Sequence, residues 1–184
     1  MKNQLFGFIV LMLLALVACA PPVAVEETEA PDYAAFDERV EVVRSFIQAH
    51  CDEDLNAQSA ILSDTLQWSP PQFNGNVWLG KADYVAALQN YHNEFEGITY
   101  TEGIVMADTL ANGMWSGSIF PEGTASNSPT AIRQYGTWTA THTESGKEVG
   151  VKWFGLSFIN DAGKIVRISE YFDVHGLAAQ IAAE

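Results

Sequence analysis

Three ionisable side chains, Glu170, Asp173 and His175, stand close together near the C-terminal end of this 184-residue sequence. Carboxylates and an imidazole at such spacing are the groups that general acid/base chemistry uses, provided one of them has a pKa near the working pH. The stretch that carries them, Gly163 to Gln180, reads as a turn, an alternating strand and a short apolar helix. Along a strand, successive side chains take opposite faces. Val166, Ile168, Glu170 and Phe172 therefore share one face, and Arg167, Ser169, Tyr171 and Asp173 share the other. The first face is apolar except at Glu170, which makes it the core side. A carboxylate there is penalised by desolvation, which raises its pKa unless donors satisfy it. Acids so placed are functional candidates. The plainer alternative is a Glu at the sheet end that reaches water or pairs with a Lys or Arg. Glu170 is thus the leading catalytic candidate, with Asp173 and His175 as partners at the strand's mouth.

Other chemistries find less support. His50, His92, His142 and His175 show no H-x-x-x-H or H-E-x-x-H spacing, and no cysteine pair is placed for zinc, so no metal site is expected. Gly155-Leu156-Ser157-Phe158-Ile159 lacks the closing glycine of a nucleophile elbow. No glycine-rich phosphate loop opens a helix, and no cofactor is expected. The formal charge of −14 becomes more acidic still once Lys2 is removed with a leader. Such a surface repels phosphate backbones, which argues against nucleic acid as a partner.

The elements that position the candidates follow from periodicity. Phe36, Val40, Val43 and Ile47 make one helical stripe, with Asp32 as its cap. A shorter helix runs from about Asp54 to Leu62, and a short strand from Thr65 to Trp68 stops at Pro70-Pro71. Tyr84, Leu88, Tyr91 and Phe95 form the stripe of a third helix from near Gly80 to about Glu96. His92 sits beside that stripe as a core or rim histidine. Strands are then expected at about Thr99 to Ala107, Met114 to Phe120, Arg133 to His142, Val149 to Ile159 and Ile165 to Phe172. Asn112-Gly113, Glu144 to Gly146 and Asp161 to Gly163 supply turns between them. The loop Pro121 to Pro129 is rich in Ser, Gly, Thr and Asn. Consecutive strands of this kind form an antiparallel sheet that buries one face beneath the helices. The expected class is α+β, a curved antiparallel sheet wrapped over about three N-terminal helices and enclosing a cone-shaped pocket.

The chain's beginning carries an address. Met1 to Ala18 has a charged start and an apolar run of secretory type, too interrupted to span a membrane. Its ending, Leu16-Val17-Ala18-Cys19, resembles the bacterial lipoprotein lipobox, which implies that Cys19 becomes the lipidated first residue. Ala20 to Asp32, with three prolines and four acids, is a stiff, self-repelling tether. The expected organisation is a signal peptide at 1–18, a lipidated Cys and tether at 19–32, and one domain at 33–184. That places the protein in the bacterial cell envelope, anchored to a membrane. Cys51 is then a lone thiol.

The order of these elements resembles the nuclear transport factor 2-like superfamily, in its SnoaL-like branch. The resemblance rests on Asp54-Leu55-Asn56-Ala57 through Thr65-Leu66-Gln67-Trp68, on Gly80-Lys81-Ala82, and on Gly163-Lys164-Ile165, Glu170-Tyr171-Phe172-Asp173 and Gly176 to Gln180. It implies a mostly apolar cavity between sheet and helices, and a homodimer packed through the sheet. Cyclase-like members carry a His-x-Asp pair on the last strand, which here falls on Ile168 and Glu170. The carboxylate survives in kind and the imidazole does not. Trp68, Tyr84, Tyr91, Trp115, Trp153 and Phe154 are the candidate pocket walls or donors for a small, largely apolar molecule. The leading expectation is a membrane-tethered carrier or receptor. The alternatives are an acid/base enzyme of isomerase, cyclase or dehydratase type, and a dimerising module with a filled cavity.

Overall fold

The computed structural model describes residues 34–105, 110–111, 113–115 and 131–183. The leader, Cys19, the tether, the loop Pro121 to Pro129 and the end of the expected strand Met114 to Phe120 lie outside the described residues.

The helices form where the apolar stripes place them. Helix α1 spans Ala34–Cys51 and buries Val40, Val43, Phe46, Ile47 and Ala49. Helix α2, Leu55–Ile61, is capped by Asp54, whose side chain accepts from the Ala57 backbone N–H. Helix α3, Lys81–Glu94, buries Tyr84 and Leu88, while the Asp83 carboxylate turns back to the Gly80 N–H. Phe95, the last member of that stripe, already belongs to the following strand. The C-terminal helix α4, Val174–Ala182, lays Leu177 and Ile181 against Phe95, Ile98 and Val149.

The strands are β1 (Leu62–Ser69), β2 (Phe95–Glu102), β3 (Ile104–Val105), β4 (Leu110–Ala111), β5 (Met114–Trp115), β6 (Ala131–His142), β7 (Lys147–Ile159) and β8 (Ile165–Phe172). The main sheet runs in the order β1-β8-β7-β6-β2, with β5 also paired to β6, while β3 and β4 pair separately. Two features depart from the expectation. First, the sheet is mixed: β1 joins the edge parallel to β8, with Trp68 opposite Ile168 and Ser69 opposite Ser169. A parallel partner needs a long crossover, and everything between Ser69 and Ile165 supplies it. Second, the expected strand Thr99 to Ala107 begins earlier and breaks at Gly103, whose φ of 109° suits only glycine.

Alternation in β8 also slips once. Phe158 faces Arg167 and Ile159 faces Ile165, which leaves Val166 as an extra residue. Ile165 and Ile168 are consequently both buried. Beyond the slip, Ile168, Glu170 and Phe172 point to the helix side as the alternation requires. The core lies on that side, joining α1, β1, α3 and the inner faces of β6 to β8.

Candidate functional site

The inner face of the sheet and helices α1, α3 and α4 enclose an aromatic cavity of about 100 Å³ that is partly open to solvent. Glu170 supplies its carboxylate; Tyr84, Tyr91, Trp138 and Trp153 supply much of its wall. Leu177 of α4 and Phe172 complete one side, and Phe46, Ile47 and Leu88 another.

Register explains how Glu170 is held. Glu170 stands opposite Gly155 on β7, and Trp68 stands opposite Ile168, one inward-facing position away. From there the Trp68 indole N–H donates to Glu170 Oε2 at 2.8 Å. The Tyr84 hydroxyl donates toward Oε1 at 3.5 Å, the outer limit of a hydrogen bond. Trp68 and Tyr84 support each other, their ring centroids 4.9 Å apart. Trp153 reaches the carboxylate because Gly155 has no side chain: a Cβ there would stand 2.2 Å from the Trp153 ring. Burial pushes the Glu170 carboxyl up to about 7, against the opposing pull of Trp68, Trp153 and Tyr84. Glu170 is only partly exposed, and it lines the cavity.

The neighbouring polar groups are neutral near pH 7. Burial first, and then the charge of Glu170, pushes Tyr91 up to about 12 and Tyr84 well above the ordinary phenol range. Both phenols therefore remain donors. His50, on the last turn of α1, lines the same cavity. Burial, and secondarily His92, lowers its pKa to about 4, while Gln58 opposes the fall. His50 Nδ1 and His92 Nε2 share a hydrogen bond of 2.8 Å. The His50 ring stands edge-on to Trp138 at 5.1 Å. It is a neutral, anchored wall. Gln58 is wholly buried, and neither of its side-chain polar atoms has a well-formed partner.

The candidates named from sequence separate into three groups. Glu170, Tyr84, Tyr91 and Trp153 converge on the cavity, and Trp68 holds the carboxylate from just behind the wall. Asp173 does not line the cavity: its side chain caps α4, accepting from the Gly176 N–H at 2.7 Å. His175 is exposed on α4 and lines no part of the cavity either. Phe154 is on the opposite face of the sheet, where it packs against Tyr135 and Tyr171. Strand alternation accounts for this, since Trp153 points inward and its neighbour cannot. The Trp115 side chain lies outside the described residues. Ile168, the position at which the resemblance puts the histidine of cyclase-like proteins, is 1% exposed and belongs to the closed core.

Sequence reasoning missed His50, Trp138 and Gln58 as neighbours of the site. Trp138 had a signal, because it alternates with Ala140, another cavity residue, on a strand flanked by turns. Gln58 had none, being one of two amides in a short helix.

No family model matches this sequence, and no curated protein does. Solved structures match its fold. An LEH-like epoxide hydrolase of M. tuberculosis is 18% identical, with a TM-score of 0.54 over 79% of this chain and 90% of that one. An NTF2-like protein of Burkholderia thailandensis is 17% identical, with a TM-score of 0.55 over 79% of this chain and 98% of that one. PrhC of Penicillium brasilianum is 13% identical, with a TM-score of 0.61 over 82% and 91%. At such identities the shared feature is architecture. A mixed, curved sheet folded over helices around an apolar cavity is the nuclear transport factor 2-like fold, and this chain has it.

Proposed function

We propose that this domain binds a small, largely apolar molecule as a carrier or receptor, held to the membrane of a bacterial cell envelope by a lipidated Cys19. The observation that carries this reading is the cavity itself, a ring-lined space in which one carboxylate is the ionised group a ligand would meet. Apolar walls with a few fixed polar groups are what small-molecule sites consist of. The Trp68 indole N–H is already engaged by Glu170, which suits orientation of a ligand more than a chain of proton transfers. The lipobox and the acidic tether support the anchored address. Incorporation of a labelled fatty acid tests it, and label retained after Cys19→Ser counts against it.

The binding reading is tested by extracting small molecules from the full chain purified from its native host. One compound recovered unchanged from the wild-type protein, and absent from a cavity-filling Ala140→Trp variant, supports it. Extracts that are identical for the two proteins oppose it.

One observation favours a second reading, an acid/base enzyme. A carboxyl near pH 7 in an apolar pocket is suited to moving a proton next to a carbonyl. Tyr91, which lines the same cavity, would supply a neutral donor to the developing oxyanion. Under this reading the captured molecule is recovered as product, and Glu170→Gln abolishes its formation. We also propose that a homodimer forms through the outer sheet face, where Tyr135, Phe154 and Tyr171 stack across neighbouring strands.

A further inference from the structure

The charge in the cavity is unmatched. Among the described residues no Lys or Arg lines it, and His50 is neutral at physiological pH. The groups that reach Glu170, the Trp68 indole N–H at 2.8 Å, the Tyr84 hydroxyl at 3.5 Å and Trp153, carry no positive charge. An enclosed carboxylate without a cationic partner is costly, and a ligand that brings the missing charge relieves that cost. Tyr84, Tyr91, Trp138 and Trp153 line the same cavity as the carboxylate. Trp138 and Trp153 lie edge-to-face, their centroids 6.1 Å apart. Aromatic faces attract cations, and several rings around one space form the cage that quaternary ammonium groups favour. An anionic ligand would be repelled by Glu170. A neutral one would satisfy the walls and leave the carboxyl to be neutralised only by a proton.

We infer that the ligand is a small organic ammonium ion, a methylated or short-chain amine, with its charge on Glu170 and its alkyl groups against the aromatic wall. This rests on the ligand-binding reading above and narrows its ligand class. Size agrees: an apolar cavity of about 150 Å³ takes a benzene ring, and this one, at about 100 Å³, suits a head group of a few carbons. Its open side leaves room for a longer substituent to project.

The inference predicts a proton linkage that a neutral ligand would not produce. A cation holds Glu170 ionised, so binding near pH 7 releases a proton from those molecules in which the carboxyl is protonated. The test is titration of the full chain with tetramethylammonium chloride and, in parallel, with neutral tert-butyl alcohol. Calorimetry and tryptophan fluorescence are read at pH 6 and pH 8 at constant ionic strength. With a carboxyl titrating at about 7, tetramethylammonium affinity should rise about tenfold between those pH values. It should exceed that of the alcohol at pH 8, and Glu170→Gln should remove both effects. Should that variant fail to fold, the pH dependence and proton release of the wild-type protein still decide. Alcohol binding as tightly as the cation at pH 8, or cation affinity independent of pH, overturns the ammonium assignment and leaves a neutral-ligand pocket standing. If neither compound binds and benzene does not bind either, both the assignment and the binding reading fail.

Discussion

Glu170 and His50 titrate abnormally in opposite senses, and both effects bear on stability. The Glu170 carboxyl is raised from 4.5 to about 7, so the native state holds its proton more tightly than the unfolded chain does. Its contribution to stability is complete below pH 4.5 and is lost as pH rises through 7. His50 is lowered from 6.5 to about 4, so its contribution is present above pH 6.5 and is lost as pH falls through 4. The two windows overlap, and in the wild-type protein the effects offset each other. Glu170→Gln keeps an acceptor for the Trp68 indole and removes only the first effect. Its stability relative to wild type should therefore grow between pH 4.5 and 7, reaching up to about 3 kcal/mol at pH 8 by denaturant unfolding. Equal stability of the two proteins at pH 8 would mean that the carboxylate is comfortably solvated. Glu170 was legible in the sequence because period-two alternation exposes a single acid on an apolar face. Asp173 was misread, although its place just before the apolar helix is the signal of an N-cap. His50 was passed over because it lies at the end of the α1 stripe, where periodicity says nothing about a cavity.

At the scale of elements, two glycine and cap positions set the geometry of the site. Gly155 leaves the space that the Trp153 ring fills, with a Cβ-to-ring approach of 2.2 Å that no side chain tolerates. Gly155→Ala should destabilise the domain by about 1–3 kcal/mol through overpacking. It should also swing Trp153 away, seen as a shift in tryptophan emission, and raise the Glu170 pKa further as one opposing donor is lost. An unshifted pKa would deny Trp153 that role. Asp173→Ala removes the cap of α4 and should cost about 1 kcal/mol. Because Leu177 of α4 lines the cavity, ligand should dissociate faster while the Glu170 pKa stays unchanged. A change in that pKa would instead make Asp173 an electrostatic partner of the site. The helices and the three long C-terminal strands were readable from stripes, turns and alternation. The parallel pairing of β1 was not, because two short sequence segments about a hundred residues apart carry no mark of direction. Nor was the slip at Val166, where a single unmatched residue keeps both Ile165 and Ile168 buried.

At the scale of the whole molecule, the outer sheet face carries a cluster of aromatic side chains. Tyr171 is 60% exposed beside Phe154 on that face. If it forms the proposed homodimer, Tyr171→Asp together with Phe154→Lys should convert dimer to monomer in sedimentation, with the cavity's binding preserved. A wild-type protein that is already monomeric at micromolar concentration contradicts the dimer. The overall architecture was foreseeable because each weak segment occurred in the order the fold demands. The aromatic cavity was not, since the rings that line it with Glu170 come from α3, β6 and β7 and meet only after folding. Everything functional in this account turns on one carboxyl in an apolar cavity. The most direct measurement is a carbon-13 NMR titration of the Glu170 side chain, alone and with tetramethylammonium present. A midpoint near pH 7 is expected in the free protein, and it should fall when the cavity is occupied. A midpoint at the ordinary value of 4.5, unmoved by any occupant, would contradict it.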